Sequence, residues 1–372
     1  MQNPLNKLIF GTALALALPA SAMATPSITA DGNNSQYLLV NDDPYLPKYQ
    51  AAADYTGVGV VYSRLKSGGG YVCTGSLVGG NTVLTAGHCI NQNAQNNGQI
   101  WEEKSWFILG DKLAQDNGDP NAWKFFEFDT RLSVQHEDYN QFDNDFGAPG
   151  DIGMIYLDET PDAGTYDRYG INWDTSDAVF GQDVTHVGAG STGNGASGKT
   201  GFDFDFRLRA GKNRYDLDTG ILTGTTLGQQ MFYDFDDGTF DHNFVCIYTF
   251  LYVTGDFSLC DDGFGTRGLD ENGDPLLGDE AFIGSGDSGG PSFINGLITG
   301  VHSWGGTFGS GFTDVDDLLN SSFGEYASDT RVAFYQDWYN EHLDNPVPAP
   351  GMLSLFGLSL LGFGIAARRR RK

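Results

Sequence analysis

Basic side chains are scarce in this chain, whose 372 residues carry 21 Lys and Arg against 48 Asp and Glu. The resulting formal net charge of −27 at pH 7 repels phosphate groups, which argues against nucleic acid as a partner. An imbalance of this size is typical of a soluble protein with a solvated acidic surface.

Cysteine is also sparse, and the four residues form no closely spaced Cys-x-x-Cys pair of the kind that zinc sites use. Two disulfides are therefore favoured over zinc, and four cysteines allow three pairings. No GxGxxG fingerprint stands between a predicted strand and a predicted helix, so a dinucleotide is not indicated. We expect neither a metal ion nor an organic cofactor.

Glycine and aromatic residues are abundant, with 52 glycines and an aromatic fraction of 13%. Short strands joined by tight turns use both, so the composition predicts a protein built from strands rather than helices. Strand patterns begin at Val58–Tyr62 and recur at Phe244–Val253 and Val301–Gly305. The Gly/Ser-rich residues 191–201 are predicted to be a flexible loop.

Residues 1–24 have the pattern of a secretory signal peptide. Lys7 supplies a positive charge, Leu8–Leu18 form an apolar run too short to span a bilayer, and Ala22–Ala24 provide a small-x-small cleavage site. We therefore predict export. Residues 25–50 are polar and are predicted to be a leader or propeptide-like segment.

Residues 347–372 are predicted to be a C-terminal sorting or anchor segment. A Pro-containing tetrapeptide at 347–350 precedes an apolar stretch at 351–367 and the basic cluster Arg368–Lys372, which would stay on the cytoplasmic side. This order resembles the PEP-CTERM tail of Gram-negative bacteria, with Ala349 in place of the usual glutamate. The resemblance implies processing by an exosortase-type enzyme and transient membrane association. A plain C-terminal anchor is the alternative.

The segment Gly284–Pro291, with the sequence Gly-Ser-Gly-Asp-Ser-Gly-Gly-Pro, carries the strongest chemical signal. A serine hydroxyl attacks a carbonyl only when a base removes its proton and preset donors receive the charge on oxygen. Glycines around Ser288 permit a sharp backbone turn, so the N–H groups of Gly286 and Ser288 are predicted to form an oxyanion hole.

A base and an orienting acid precede this segment. His88, in Thr-Ala-Gly-His-Cys, would accept the serine proton, and Asp151 would orient and stabilise its imidazole. Asp143 and Asp145 compete for that role, but Asp151 opens an apolar strand and is preferred. The remaining histidines are predicted to be ordinary polar residues or satisfied partners: His136, His186, His242, His302 and His342.

These three segments together resemble the motifs of trypsin-like serine proteases, and the resemblance runs from about Val58 to Trp338. It implies an all-β fold of two six-stranded antiparallel β-barrels packed together, with a short C-terminal helix. The protease domain would occupy residues 51–343, with barrels at 51–165 and 176–343. The implied disulfides are Cys73 with Cys89 and Cys246 with Cys260.

The same resemblance assigns substrate-binding residues. Ser303, Trp304 and Gly305 would form a strand that pairs with an extended peptide. Phe282 stands six residues before Ser288, where trypsin itself carries an aspartate. An apolar ring offers no partner for a buried Arg or Lys charge, so small or apolar residues are predicted at the cut. Inward movement of Asp279 or Glu280 is the alternative.

We therefore predict an exported serine endopeptidase that forms an acyl-enzyme with peptide or protein substrates, outside the inner membrane of a Gram-negative bacterium. It would be secreted or held at the cell surface. One alternative is a catalytically weak or inactive trypsin-fold binding protein of the cell surface or extracellular matrix. Another is a carboxylester hydrolase with the same chemistry.

Two features stay open in the sequence. The acidic residues 261–280 contain a calcium-loop-like spacing, but Pro275 takes the place of the required glycine, so a solvated loop is favoured. Trypsin-like zymogens are cut before an Ile-Val-Gly-Gly-like segment, whose new amine pairs with the residue equivalent to Asp287. No such segment is evident, which leaves the partner of Asp287 undefined.

Overall fold

Two curled antiparallel sheets of seven strands each form the body of the protein. The computed structural model describes residues 38–40, 50–65, 70–90, 102–139, 149–199, 206–218, 228–255, 266–269, 275–277 and 280–343. The predicted all-β class, with two barrel-like sheets and a C-terminal helix, is confirmed. Each sheet has seven strands instead of six, because the two-residue strands Val134–Gln135 and Leu217–Asp218 extend one edge of each.

The first sheet contains seven strands, numbered here in chain order: β2 (Val58–Leu65), β3 (Gly70–Leu77), β4 (Thr82–Thr85), β5 (Glu102–Gly110), β6 (Trp123–Phe128), β7 (Val134–Gln135) and β8 (Gly153–Tyr156). They pair in the order β6-β5-β2-β3-β4-β8-β7. A bridge between Phe128 and Leu157 joins β6 to the end of β8, which curls the sheet into a barrel.

The second sheet is built from seven later strands: β9 (Asp183–Gly188), β12 (Arg209–Arg214), β13 (Leu217–Asp218), β14 (Gln230–Asp234), β18 (Pro291–Ile294), β19 (Leu297–Gly306) and β20 (Tyr326–Arg331). Their order is β12-β9-β18-β19-β20-β14-β13. The Ser288 segment leads directly into β18, so this sheet fixes its direction.

A four-stranded sheet lies beside the second sheet and contains an N-terminal strand. Its members are β1 (Leu38–Val40), β10 (Thr192–Asn194), β11 (Gly198–Lys199) and β17 (Ala281–Phe282). β1 pairs in parallel with β10 and antiparallel with β17. The predicted flexible loop at 191–201 is therefore wrong for its described part, which forms a hairpin. A separate pair joins β15 (Thr266–Leu269) to β16 (Pro275–Leu277).

Helices are few and short among the described residues. The α-helices are α1 (Lys112–Asp116), α2 (Phe244–Thr249) and α3 (Gln336–His342), and π-helical turns follow α2 at Phe250–Thr254. Single 3₁₀ turns span Gly87–Cys89, Asp177–Val179, Phe240–His242 and Val332–Tyr335. Within the described ranges, no helix has the length and apolarity needed to cross a membrane.

The strand predicted at Phe244–Val253 is wrong, because α2 and the π-helical turns occupy it. The Asn243 side chain accepts a hydrogen bond from the Cys246 N–H at 2.7 Å and so caps the first turn. Phe244, Tyr248 and Tyr252 are spaced by four residues, and their rings stack at 5.6 and 5.2 Å on one helix face. The Asn243 cap and the stacked rings together stabilise the helix more than the strand propensity of these aromatic and β-branched residues disfavours it.

The segment at residues 160–175, which joins the two sheets along the chain, contacts both of them. The Arg168 guanidinium donates to the carbonyls of Gly79 at 3.1 Å and Gly80 at 2.8 Å, in the turn before β4. Ile171 forms a bridge with Ile298 of β19. The Phe293 ring of β18 stacks on Tyr55 at 5.2 Å, so apolar packing also joins the two halves. The two sheets thereby meet along one apolar face.

Candidate active site

Pairing of β4 with β8 brings His88 and Asp151 together. Thr85 at the end of β4 lies opposite Gly153 at the start of β8. His88 follows Thr85 in a 3₁₀ turn, and Asp151 precedes Gly153, so both side chains lie at the same end of the first sheet. Gln135 of the neighbouring β7 donates to the Gly87 carbonyl at 2.7 Å and holds this turn.

Asp151 is buried, with 3% of its surface exposed, and its carboxylate accepts three groups. The His88 ring Nδ1 lies 2.9 Å from Oδ2, the His88 backbone N–H donates to Oδ1 at 2.9 Å, and the Ser303 hydroxyl donates to Oδ2 at 2.5 Å. Burial alone raises the pKa of Asp151, but the charge and hydrogen bonds of His88, with the Ser303 bond, hold it below its ordinary value. The carboxylate is therefore ionised and accepts from Nδ1.

His88 keeps 28% of its side-chain surface exposed, unlike its partner. Burial lowers the pKa of His88, yet the Asp151 charge and hydrogen bond outweigh this effect and raise the pKa above its ordinary value of 6.5. With Nδ1 committed to Asp151, the other ring nitrogen is available for proton transfer.

Ser288 reaches the same region through its backbone. Its carbonyl oxygen accepts the Thr74 N–H at 2.8 Å, and Thr74 follows Cys73 in β3. Cys73 forms the predicted disulfide with Cys89, next to His88, with Cα atoms 6.1 Å apart. The Ser288 segment and the His88 turn are thus held to adjacent residues of one strand. Ser288 is half-buried, and no hydrogen bond joins its described side chain to that of His88.

Two backbone N–H groups in the turn around Ser288 have no acceptor within the described part of the protein. Gly286 and Gly289 have φ values of +96° and +82°, which L side chains rarely adopt. A Cβ at Gly289 would lie 2.0 Å from the Thr85 hydroxyl, so only glycine fits there. Within the described part of the chain, the N–H groups of Gly286 and Ser288 donate to no protein acceptor. Two donors without acceptors are one requirement of an oxyanion hole, and the assignment of Gly286 and Ser288 to such a hole stays a prediction.

Asp287 is satisfied by backbone donors. It is fully buried, and its carboxylate accepts the Gly190 N–H at 2.7 Å and the Gly284 N–H at 2.8 Å. Burial raises the pKa of Asp287 to about 6, although the hydrogen bonds from the Gly284 and Gly190 N–H groups lower it in part. The structure thereby supplies partners that the sequence left undefined.

Serine, histidine and aspartate also meet at a second place, inside the second sheet. The Ser292 hydroxyl donates to Asp329 and lies 2.7 Å from Nδ1 of His186, and His302 lies 3.2 Å from the same Nδ1. Asp329 also accepts the Tyr215 hydroxyl at 2.5 Å. We call Ser292, His186, His302 and Asp329 the buried network, since none of the four has any exposed surface. Sequence reasoning missed it, because these residues share no motif.

Residues 50–202 match the Trypsin family model. Mouse neuropsin, described as a serine protease expressed in the limbic system of mouse brain, is 17% identical, with a TM-score of 0.47 over 78% of this chain and 95% of neuropsin. A mutant of human heparin-binding protein is 15% identical, with a TM-score of 0.49 over 82% of this chain and 98% of that protein. No curated protein matches the sequence.

The residues predicted to contact the substrate lie on β17 and β19. β19 pairs with β20 through Trp304 and Gly305, and its pairing with β18 ends at Val301. Trp304 is half-buried and packs edge-to-face on Phe232 at 5.3 Å. The Phe282 ring is 1% exposed and packs in the second core. Substrate contacts of Phe282, Ser303, Trp304 and Gly305 stay predictions.

Among the residues that the structure describes, three groups of side chains have the composition of a metal site. The first consists of His88 with the disulfide sulfurs of Cys73 and Cys89. In the second, which belongs to the buried network, the Ser292 hydroxyl donates to Asp329 and lies 2.7 Å from Nδ1 of His186 and 3.1 Å from Nε2 of His302. In the third, the buried carboxylates of Asp234, Asp236 and Glu280 each accept a backbone N–H, at 2.9, 2.6 and 3.1 Å.

Several expectations fall on residues outside the described ranges. Cys260, and with it the pair Cys246–Cys260, is one, and the competing carboxylates Asp143 and Asp145 are others. The calcium-loop-like residues 270–274, the signal peptide and the C-terminal segment 347–372 also lie outside. Glu280, placed at the end of a solvated loop, is in fact buried, with 1% of its surface exposed.

One further motif in the sequence has no functional context. Residues 193–200 fit the phosphate-loop pattern GxxxxGK[ST], which binds phosphate only between a strand and a helix. Here β10 and β11 form an antiparallel hairpin across this segment. The Lys199 amine donates to the Ser285 hydroxyl at 3.2 Å, beside the nucleophile turn. A phosphate-binding role is therefore not indicated.

Proposed function

We propose that this protein is a serine endopeptidase in which Ser288 is the nucleophile, His88 the general base and Asp151 the orienting acid. The observation that carries the proposal is the partly exposed His88 imidazole, held through Nδ1 by a buried and ionised Asp151. The Ser288 turn lies beside it through Thr74 and the Cys73–Cys89 disulfide.

The proposed reaction begins when the Ser288 hydroxyl gives its proton to His88 and attacks the scissile carbonyl. Asp151 stabilises the imidazolium that forms. The N–H groups of Gly286 and Ser288 receive the negative charge on the tetrahedral oxygen. His88 then protonates the leaving amine, and water releases the acyl group from Ser288 by the same steps in reverse.

The buried network is the second constellation of the same residue types, and its geometry argues against a reacting role. Ser292 donates its proton directly to Asp329 instead of to a histidine. Since His186 and Ser292 have no exposed surface, a peptide has no path to them. An activated nucleophile needs both a base and access to substrate.

We also propose that the protein is exported. The Cys73–Cys89 disulfide supports this, because disulfides persist in oxidising compartments outside the cytosol. Intact mass measured on protein from cells would test both ends of the chain. A mass that begins at Thr25 and lacks Arg368–Lys372 supports signal cleavage and sorting. A mass that retains the basic cluster supports a plain C-terminal anchor.

The decisive experiment incubates the purified mature chain with a peptide library, with and without a serine-directed phosphonate. We expect peptide cleavage that the phosphonate abolishes, with the label on Ser288. Ser288→Ala should lower kcat by about 10⁴-fold or more and lose the label. Ser292→Ala removes the other serine of a Ser–His–Asp group and should still be labelled, which distinguishes Ser288 from Ser292 as the labelled residue.

A folded wild-type protein that cleaves no peptide and binds no phosphonate would overturn the proposal in favour of a trypsin-fold binding protein. Labelling on Ser292 would instead move the active site to the buried network. Cleavage of simple esters without any cleavage of peptides would point to a carboxylester hydrolase.

A further inference from the structure

The direction of the two oxyanion N–H groups depends on two neighbouring carbonyls. A trans peptide is planar, and its C=O and N–H point in opposite directions. The Gly286 N–H shares its peptide with the Ser285 carbonyl, and the Ser288 N–H shares its peptide with the Asp287 carbonyl. Any group that holds these carbonyls therefore aims the N–H groups.

The Ser285 carbonyl is held by a single residue. It accepts the Ser191 backbone N–H at 2.7 Å and the Ser191 hydroxyl at 3.0 Å. Ser191 has no exposed surface and stands just before β10. Two donors on one oxygen leave this peptide little freedom to turn, so the Gly286 N–H is directed away from Ser191.

The Asp287 carbonyl is held in the same manner by two other residues. It accepts the Gly290 N–H at 2.8 Å and lies 3.1 Å from Nδ1 of His302. A carbonyl oxygen only accepts, so Nδ1 of His302 must carry a proton. His302 stands in β19 beside Ser303, whose hydroxyl bonds Asp151, so one strand serves both parts of the site.

The buried network fixes this tautomer of His302. With Nδ1 protonated, Nε2 of the neutral ring is an acceptor, 3.1 Å from the Ser292 hydroxyl and 3.2 Å from Nδ1 of His186. Ser292 gives its only proton to Asp329, so the hydrogen between His186 and its two neighbours, Ser292 and Nε2 of His302, belongs to Nδ1 of His186. The position of each hydrogen between Asp329 and the Asp287 carbonyl is then fixed.

We propose that Ser191 and His302 are positioning residues that aim the oxyanion N–H groups, and that the buried network keeps His302 in its donor form. The proposal rests on the proposed function, since it concerns the same Ser288 site. Because negative charge develops on the substrate oxygen only during reaction, loss of either residue should lower kcat and leave KM nearly unchanged.

The test compares Ser191→Ala and His302→Leu with the wild-type enzyme. Loss of an oxyanion donor itself costs about 10²–10³-fold in kcat, so loss of a group that aims one should cost about tenfold. KM should stay within about threefold. Affinity for a peptide boronate, which forms a tetrahedral anion on the serine, should fall in parallel with kcat. Titration with the phosphonate counts the folded enzyme in every sample.

Two further variants keep the result decisive if His302→Leu folds poorly. His302→Asn places an amide donor near the position of Nδ1 and should recover most of the lost kcat. Ser197→Ala removes an exposed hydroxyl from the same hairpin as Ser191, bonded only to Asn194 among the described residues, and should change nothing. Comparison of Ser191→Ala with Ser197→Ala separates a loss of N–H orientation from a general disturbance of packing in the hairpin.

Unchanged kcat and boronate affinity in Ser191→Ala and His302→Leu, or a loss in His302→Asn as large as that in His302→Leu, would overturn the inference while leaving the peptidase intact. Equal losses in Ser191→Ala and Ser197→Ala would also overturn it. A wild-type enzyme that neither cleaves peptides nor binds the boronate overturns the proposed function, and the inference falls with it.

Discussion

Thr74 donates its backbone N–H to the Ser288 carbonyl oxygen at 2.8 Å. Its hydroxyl accepts the Ala189 N–H at 3.1 Å and donates to the Gly286 carbonyl at 3.0 Å. One fully buried residue of the first sheet therefore holds both the nucleophile turn and the end of β9. The position of the proposed nucleophile Ser288 relative to the proposed base His88 therefore depends on Thr74.

Thr74→Val should therefore damage both stability and turnover. Valine keeps the shape of threonine but leaves the Ala189 N–H and the Gly286 carbonyl without their hydroxyl partner. We expect a loss of about 2–6 kcal/mol in the free energy of unfolding, because two buried groups lose their partner at about 1–3 kcal/mol each. Denaturant titration measures this loss. Thr56→Val, at a half-buried hydroxyl bonded to Asp167, is the control and should cost about 1 kcal/mol or less. Equal losses would contradict the prediction.

The pH dependence of activity should follow His88. Since its pKa is raised above 6.5, chiefly by Asp151 acting against burial, kcat/KM should rise with pH through a midpoint above 6.5. Asp151→Asn should move that midpoint down and lower kcat by about 10⁴-fold. The stability that the raised pKa of His88 contributes is complete below the pKa of this histidine in the unfolded chain, and it is lost as pH rises through the pKa in the folded protein. A wild-type midpoint below 6 would rule out His88 as the base.

Glu325 should make the protein less stable at alkaline pH. The carboxyl is fully buried, and burial raises its pKa to about 7, despite hydrogen bonds from the N–H groups of Asn320 and Ser322. The folded state thus holds a proton that the unfolded state releases near pH 4.5, and the free energy of unfolding falls as pH rises between these values. The full loss amounts to about 3 kcal/mol.

Glu325→Gln should remove the part of this slope that Glu325 contributes, because glutamine does not titrate, and the smaller contributions of Asp287 and His88 should stay. Denaturant unfolding of wild type and variant at pH 5 and pH 8 gives the comparison. Glu127→Gln, at an exposed carboxylate bonded to Lys104, is the control and should keep the wild-type slope. A slope in Glu325→Gln equal to that of the wild type would show that another group is responsible.

Cleavage should not favour Arg or Lys at the residue before the cut. Phe282 presents a ring packed at 5.3 Å on Phe235, and the Glu280 carboxylate accepts the Asp236 N–H at 3.1 Å inside the protein. A buried cation would find no partner at Phe282. We expect kcat/KM for small or apolar residues to exceed that for Arg or Lys by about tenfold or more, measured on peptides that differ only there. A clear preference for Arg or Lys would show that an acidic residue reaches the pocket.

Local motifs made part of the site predictable, and long-range pairing hid the rest. His88 and Ser288 could be chosen from the sequence because each stands in a short segment whose chemistry is local. The buried network could not be found, since His186 and Asp329 lie far apart in the chain and meet only through sheet pairing. Before folding, each looks like an ordinary polar residue.

Element assignment failed where neighbours decided the outcome. The α2 sequence favours a strand by composition, and only the Asn243 cap and the stacked rings reveal a helix. The strand at Leu38–Val40 was equally hidden, because three apolar residues in a polar segment carry no period. Its partners come from the distant β10 and β17.

That N-terminal strand has a practical consequence for recombinant production. A chain shortened to begin at Ala51 would lose Leu38–Val40 and expose the edges of Thr192–Asn194 and Ala281–Phe282 at the same time. Two bare strand edges side by side form a template on which another molecule can add a strand. The shortened protein would thus tend to aggregate during purification, and an expression vector should encode the chain from upstream of Leu38.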